Sequence, residues 1–227
     1  LTPLSSPGYR RDPVAEEGST LLPLAEAGAY RALAARANYL CMDRPVIGFA
    51  AKECCRRMSA PRSQDLEALR RLVRYLVGRP RLVYVFEWQD EGLPLSVFVD
   101  TDFAGCVITR RSTSGGLCMR GSHLLKHWSP THKVIALSSG EAELGGIVKG
   151  AAEGLGLNAV AADLGINMSS MKLMADSSAA IGICRRTGIG KVRHLAVAQL
   201  WVQERVRAGG FDLVKYPRQS KPGGRLN

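Results

Sequence analysis

The stretch LSVFVDTDFAG, residues 95–105, runs β-branched and aromatic residues into an acid: Asp100 stands where the apolar, strand-like segment ends and a polar turn begins. The same punctuation occurs twice more. Asp176 closes the strand-like run MKLMAD, and Glu143 lies in the first turns of a helix expected from SSGEAEL. Carboxylates carried to the ends of different elements form a hard-oxygen set suited to divalent metal. Two-metal phosphodiester hydrolysis uses such a set.

Outward from residue 95, the apolar period stays short. RLVYVFEW precedes the turn signal DEGLP, while SGGLCMRG and HLLKHWS follow as strands around the hairpin turn RGS. A helix is expected from about Ser139 to Leu164, a strand over 171–175, a short helix over 177–186, a helix over 193–207 and a last strand FDLVKYP. Three antiparallel strands, then α, β, α, α and a terminal strand, describe an α/β fold: a mixed sheet covered by helices. Gly145, Gly146, Gly150, Gly154 and Gly156 weaken the long helix by about 1 kcal/mol each relative to Ala. Tertiary packing can hold it, the glycines can admit another backbone, or the sequence is under relaxed selection.

Upstream the pattern is helical. Tyr30, Leu33, Ala34, Ala37 and Leu40 recur at helical spacing, and Pro45 opens a second helix through Phe49, Cys54 and Met58. QDLEALRRLVRYLVG sets Leu66, Leu69, Val73, Leu76 and Val77 on one face and stops at Gly78 and Pro80. Residues 1–24, rich in Pro, Ser and Gly, are expected to lack fixed structure. The start carries no initiator Met and reads as part of a longer polypeptide.

Thirty-one Lys and Arg against 20 Asp and Glu give a formal net charge of +11, which suits a polyanionic partner, nucleic acid among others. The hydrophobic content of 46% argues for a folded chain. Six cysteines lack CxxC or zinc-like spacing and read as reduced, mostly buried thiols of an intracellular protein, cytoplasmic or nuclear. Cys54 and Cys55, being adjacent, are poorly placed to pair with each other. No apolar run reaches the roughly 18 residues of a membrane span.

In order along the chain, VFVDTDFAG, TRRSTSGG, HWSPTHKVIALSSGEAEL, MADSSAAI, KVRHLAV and WVQERV resemble the ribonuclease H domain of copia-type retrotransposon polyproteins. Upstream, AYRALAARANYL, DRPVIGFAAKECCRRMSAP and LEALRRLVRYLVGRPRLVYVF resemble the segment joining reverse transcriptase to that domain; no YxDD polymerase motif is present. The resemblance implies a ribonuclease H-like domain over 93–217, a helical connection segment over 25–92 and an atypical tail over 218–227. It also implies hydrolysis of the RNA strand of RNA/DNA hybrids with two Mg2+ ions, or Mn2+, held by Asp100, Glu143 and Asp176. The family's fourth acid follows the His of a KHID-like motif. Here the text is RHLA, which puts Ala196 in that place. Partners implied are the hybrid and the reverse transcriptase portion of the same polyprotein.

Several neighbours compete for these roles. Asp102 lies on the same side of an extended chain as Asp100, and the family motif assigns the ligand role to the first Asp. Ser138 and Glu141 fit a capping box, whereas Glu143 projects about 200° round the helix from Glu141; Glu143 is the expected ligand. Asp176, followed by Ser177, also suits a helix cap. Arg110 and Arg111 can touch phosphate or rim a hairpin, and Ser177 and His194 are further candidate nucleic-acid contacts. His123, His127 and His132 are expected to be structural or solvated, Trp88 and Trp128 to be core residues. Arg56, Arg57, Arg70, Arg71 and Arg74 offer a basic face or a solvated one. Beside the enzyme stand two other readings: an inactive remnant that keeps the fold and nucleic-acid binding, and a nuclease or transposase of the same fold acting on DNA.

Overall fold

The structure, a computed structural model, describes residues 18–188 and 197–216. Its described residues divide into two compact units, one comprising those up to Val85 with Val107–Thr109 and the other those from Phe86 to Cys106 and from Arg110 onward. No described helix is long and apolar enough to cross a membrane.

The first unit is helical. Helix α1 (Leu24–Leu40), a 3-10 turn (Pro45–Ile47), α2 (Gly48–Cys55) and α3 (Ser63–Gly78) enclose Tyr30, Ala34, Ile47, Ala51, Leu69 and Leu72. Small residues let α1 and α2 approach, and the buried Tyr30 hydroxyl donates to Cys54 O at 2.7 Å. Helix α3 begins where Asp65 Oδ2 accepts the Arg62 N–H at 2.8 Å, which draws Asp65 into the interior. Its buried stripe is therefore Asp65, Leu69 and Leu72, and the expected face through Val73 and Val77 is corrected: Val77 is 74% exposed. Residues 18–24 are also corrected, because Leu22 N donates to Pro61 O and Ser63 N donates to Thr20 O. Those pairs give that short stretch a fixed path.

The second unit is the mixed sheet. Strands β1 (Leu95–Thr101), β2 (Ser114–Arg120) and β3 (His123–Trp128) pair antiparallel, and β4 (Met171–Ala175) and β5 (Asp212–Lys215) add in parallel, in the order β3-β2-β1-β4-β5. Helices α4 (Ser139–Asp163), α5 (Ser178–Arg185) and α6 (Val197–Arg207) complete it. This is the mixed α/β sheet expected of the sequence, three antiparallel strands extended by parallel ones and flanked by helices. Leu95, Val97 and Val99 alternate inward on β1 and meet Leu144, Ile147, Leu173 and Val202 in one core. Gln203 is buried among them with its amide satisfied, donating to Ile183 O and Gly188 O and accepting from Gly188 N.

RLVYVFEW forms no strand, since none of its backbone finds a ladder partner, and the expected core placement of Trp88 is corrected by its 92% exposure. Trp128 is half-buried and packs on the core. Gly121, at φ +55°, makes the β2–β3 turn, and Gln89 brackets it by accepting from Ser122 N and donating to Arg120 O. Cys54, Cys118 and Cys184 are buried, and Cys41, Cys55 and Cys106 are partly buried. Burial pushes the Cys118 and Cys184 thiols up to about 12, so neither is a reactive thiolate near neutral pH.

The glycines of α4 resolve into a stripe. A Cβ at Gly146 would lie 2.4 Å from Thr101 Oγ1, at Gly150 2.5 Å from Val99 Cγ1, and at Gly154 2.8 Å from Val97 Cγ2. The helix axis thus lies closer to the sheet than any side chain would allow. Gly156 faces open space and has no such reason.

Candidate active site

Strand register brings two of the acids together. β1 and β4 are parallel with Val97 opposite Leu173 and Phe98 opposite Met174. Two residues further along each chain stand Asp100 and Asp176, side by side where the strands end. The third acid arrives on α4. Its glycine stripe meets Val97, Val99 and Thr101 in reverse order, so α4 runs antiparallel to β1 and its first turns lie at the end of β1. Glu143 sits in those turns.

One carboxylate oxygen from each of Asp100, Glu143 and Asp176 lies within 4.8 Å of the other two. Asp100 is exposed, Asp176 half-buried and Glu143 only 7% exposed. Oxygens opposed across Mg2+ stand about 4.2 Å apart, and those across Ca2+ roughly 5 Å. A side-chain shift of a few tenths of an ångström would therefore fit this all-oxygen set to a hard divalent cation. Like charges held so close repel one another, which favours a cation between them.

The competing acids have other tasks. Asp102 Oδ1 accepts from Thr113 N, and Asp102 N donates to Thr113 O, so its side chain closes the loop after β1. Glu141 N donates to Ser138 Oγ at 3.2 Å while Glu141 Oε2 accepts from Leu137 N at 2.7 Å. This is the expected N-terminal cap, with the return bond falling one residue earlier than the capping-box pattern. Ser177 rather than Asp176 caps α5, its Oγ accepting from Ala180 N at 3.2 Å.

Arg110 and Arg111 are exposed on the loop between β1 and β2, where Arg110 N donates to Cys106 O and Cys106 N donates to Arg111 O. Arg110 takes φ +54°, a left-handed conformation held by those bonds. In the first unit Arg56 pairs with Glu53 and Arg70 with Glu67, which reduces the expected basic face. His194 and Ala196 lie outside the described residues. His123 Nε2 is 2.9 Å from Glu87 O, and its ring meets Phe86 edge-on, a structural role.

His132, expected to be structural or solvated, has partners that its sequence context does not show. Its Nε2 lies 2.5 Å from Ser114 Oγ, which lies 2.9 Å from Thr101 Oγ1. No spacing could have shown this set, because strand pairing of Thr101 with Ser114 and a bridge between Thr113 and Thr131 assemble it. Burial pushes the imidazole below its ordinary value although the Asp102 carboxylate pulls upward. The unfolded chain therefore binds the proton more readily, and stability falls as pH drops below about 6.5, levelling off once the folded pKa is passed. Thermal melts between about pH 8 and about pH 5 should show a steeper loss in the parent than in His132→Gln. Parallel curves would refute it.

No protein-family model matches the chain. The retrovirus-related Pol polyprotein from transposon RE1 of Arabidopsis thaliana is 26% identical over 193 residues, 84% of this chain and 13% of that protein. The corresponding polyprotein from transposon RE2 of the same plant is 25% identical over 214 residues, 93% of this chain and 14% of its own length. The chain thus spans a small part of the length of these two polyproteins. Among solved structures, LC11-RNase H1 in complex with an RNA/DNA hybrid is similar over 57% of this chain and 89% of its own, at 12% identity and a TM-score of 0.40. Copia-type retrovirus-related Pol polyproteins are this chain's homologues.

Proposed function

We propose that residues 93–217 form a retroelement ribonuclease H that hydrolyses the RNA strand of RNA/DNA hybrids, with residues 25–92 as the connection from a reverse transcriptase. The observation that carries this reading is the convergence of Asp100, Glu143 and Asp176 from three elements within 4.8 Å. Their carboxylates would hold divalent metal, Mg2+ or Mn2+, two ions in the full reaction. The chemistry such ions would supply there is activation of water for in-line attack and stabilisation of charge on the departing 3′ oxygen.

The chain's own residues supply holding and orientation. Burial of Glu143 and a strand register that sets Asp100 beside Asp176 support a ligand set that would be largely arranged before substrate arrives, with little reorganisation at the chemical step. Arg110 and Arg111 are exposed and suited to phosphate oxygens, with Ser177 and His194 as further contacts. Affinity through the +11 charge would fall with salt and carry little base specificity. Discrimination for hybrid would rest on groove shape and the 2′-hydroxyls of the RNA strand.

Ala196 favours a second reading. The family's fourth acid helps hold the second ion, and its loss at about 3 kcal/mol would slow the reaction roughly a hundredfold. Complete loss would leave an inactive remnant that still binds nucleic acid. Labelled RNA/DNA hybrid, RNA duplex and DNA duplex, incubated with the parent and with Ala196→Asp in Mg2+ and then Mn2+, test these readings. Slow hybrid cleavage by the parent, accelerated by Ala196→Asp, is the expected result. Cleavage only after Ala196→Asp would support the remnant, and cleavage of DNA duplex would overturn both.

A further inference from the structure

The carboxylates sit on separate elements, and something must hold those elements at a fixed separation. The geometry points to His132 as a positioning residue for the metal-binding carboxylates, acting on Asp100 through Ser114 and Thr101 and on Glu143 through contact with α4. This inference rests on the metal reading of that site.

Two arms of contact leave the imidazole. On one side Nε2 is bonded to Ser114 Oγ at 2.5 Å, and Ser114 Oγ to Thr101 Oγ1 at 2.9 Å. Thr101 is the next residue after Asp100 on β1, and Ser114 is only 1% exposed. On the other side the ring lies against Gly145, where a Cβ would stand 2.9 Å from His132 Cε1. Gly145 follows Glu143 by two residues on α4. The next glycine, Gly146, leaves just enough room for Thr101 Oγ1. The ring therefore stands between Ser114, which is hydrogen-bonded to the end of β1, and the first turns of α4.

The ring is itself fixed. His132 N donates to Ser112 O at 2.7 Å and Ser114 N donates to Pro130 O at 3.0 Å, which ties the loop after β3 to the start of β2. Ser114, His132, Lys133, Glu141 and Lys149 line a cleft of about 440 Å³ beside it, and Asp102 acts on the imidazole by charge. Outer partners that orient metal ligands typically change metal affinity 10–100-fold when removed. His132 has the contacts for that role without touching a ligand carboxylate.

His132→Gln keeps a polar group able to bond Ser114, whereas His132→Leu fills space without one. Amide exchange of the metal-free chain and Mn2+ binding by calorimetry should be compared for both. His132→Leu is expected to lose exchange protection at Thr101 and in the first turns of α4 and to weaken Mn2+ binding on the order of tenfold or more. Retention of both properties by His132→Gln is the matching expectation. Parent-like protection in His132→Leu, or equal losses in the two variants, would overturn the proposal. A parent that binds no Mn2+ would refute the metal reading alone, and the exchange comparison would still decide the role of His132.

Discussion

Asp100→Asn is expected to abolish cleavage of RNA/DNA hybrid, with a fall in rate of roughly a thousandfold, the upper end for removing one electrostatic stabiliser. Asn keeps the shape of the side chain and one oxygen but removes a negative charge from a set whose value lies in charge and oxygen donors. The variant should fold at least as well as the parent. Asp100 is exposed, and in the metal-free protein its carboxylate is repelled by those of Glu143 and Asp176. An unchanged or raised melting temperature together with lost cleavage is therefore the signature of a metal site. Cleavage by Asp100→Asn at the parent's rate would refute the assignment of Asp100, and a large fall in stability would mean a structural role.

The second large effect concerns the helix that carries Glu143. Gly150→Ala should gain about 1 kcal/mol in helix propensity. Yet its Cβ would sit 2.5 Å from Val99 Cγ1, on a β-branched side chain that has little freedom to turn away. Overpacking of a core typically costs 1–3 kcal/mol, so a net loss of up to about 2 kcal/mol is expected from the two terms. Gly156→Ala, with open space around it, should instead stabilise by up to about 1 kcal/mol. Combining Gly150→Ala with Val99→Ala removes the opposing methyl and should recover part of the loss, a coupling measurable by a double-mutant cycle. Equal effects of Gly150→Ala and Gly156→Ala on chemical denaturation would show that the close approach does not limit packing.

Local chemistry made much of the second unit legible. The run LSVFVD had to be a strand because its β-branched and aromatic residues suit a half-buried ladder, and the structure gives β1 as Leu95–Thr101. Ser138 and Glu141 mark the start of α4 through their cap, which separates the task of Glu141 from that of Glu143. RLVYVFEW has the same composition and yet forms no strand, because a strand exists only where a partner completes its hydrogen bonds. On α3, Leu72 and Val73 are adjacent and both apolar, and periodicity alone cannot rank them. The cap through Asp65 turned the helix so that Leu72 went inward.

Local propensity and residue chemistry were thus determined by the sequence itself: which segments are able to form strands or helices, and which acids stand at their ends. Distances between those ends were decided only by the tertiary structure. The glycine stripe, left open between packing, close approach and relaxed selection, acquires its reason from Thr101, Val99 and Val97 on another element. His132 acquires its partners from a strand pairing and a loop bridge. Asp100, Glu143 and Asp176 could be named in advance because chemistry marks each residue separately. Their approach to within 4.8 Å depends on register and helix height, which are properties of contacts between segments far apart in the chain.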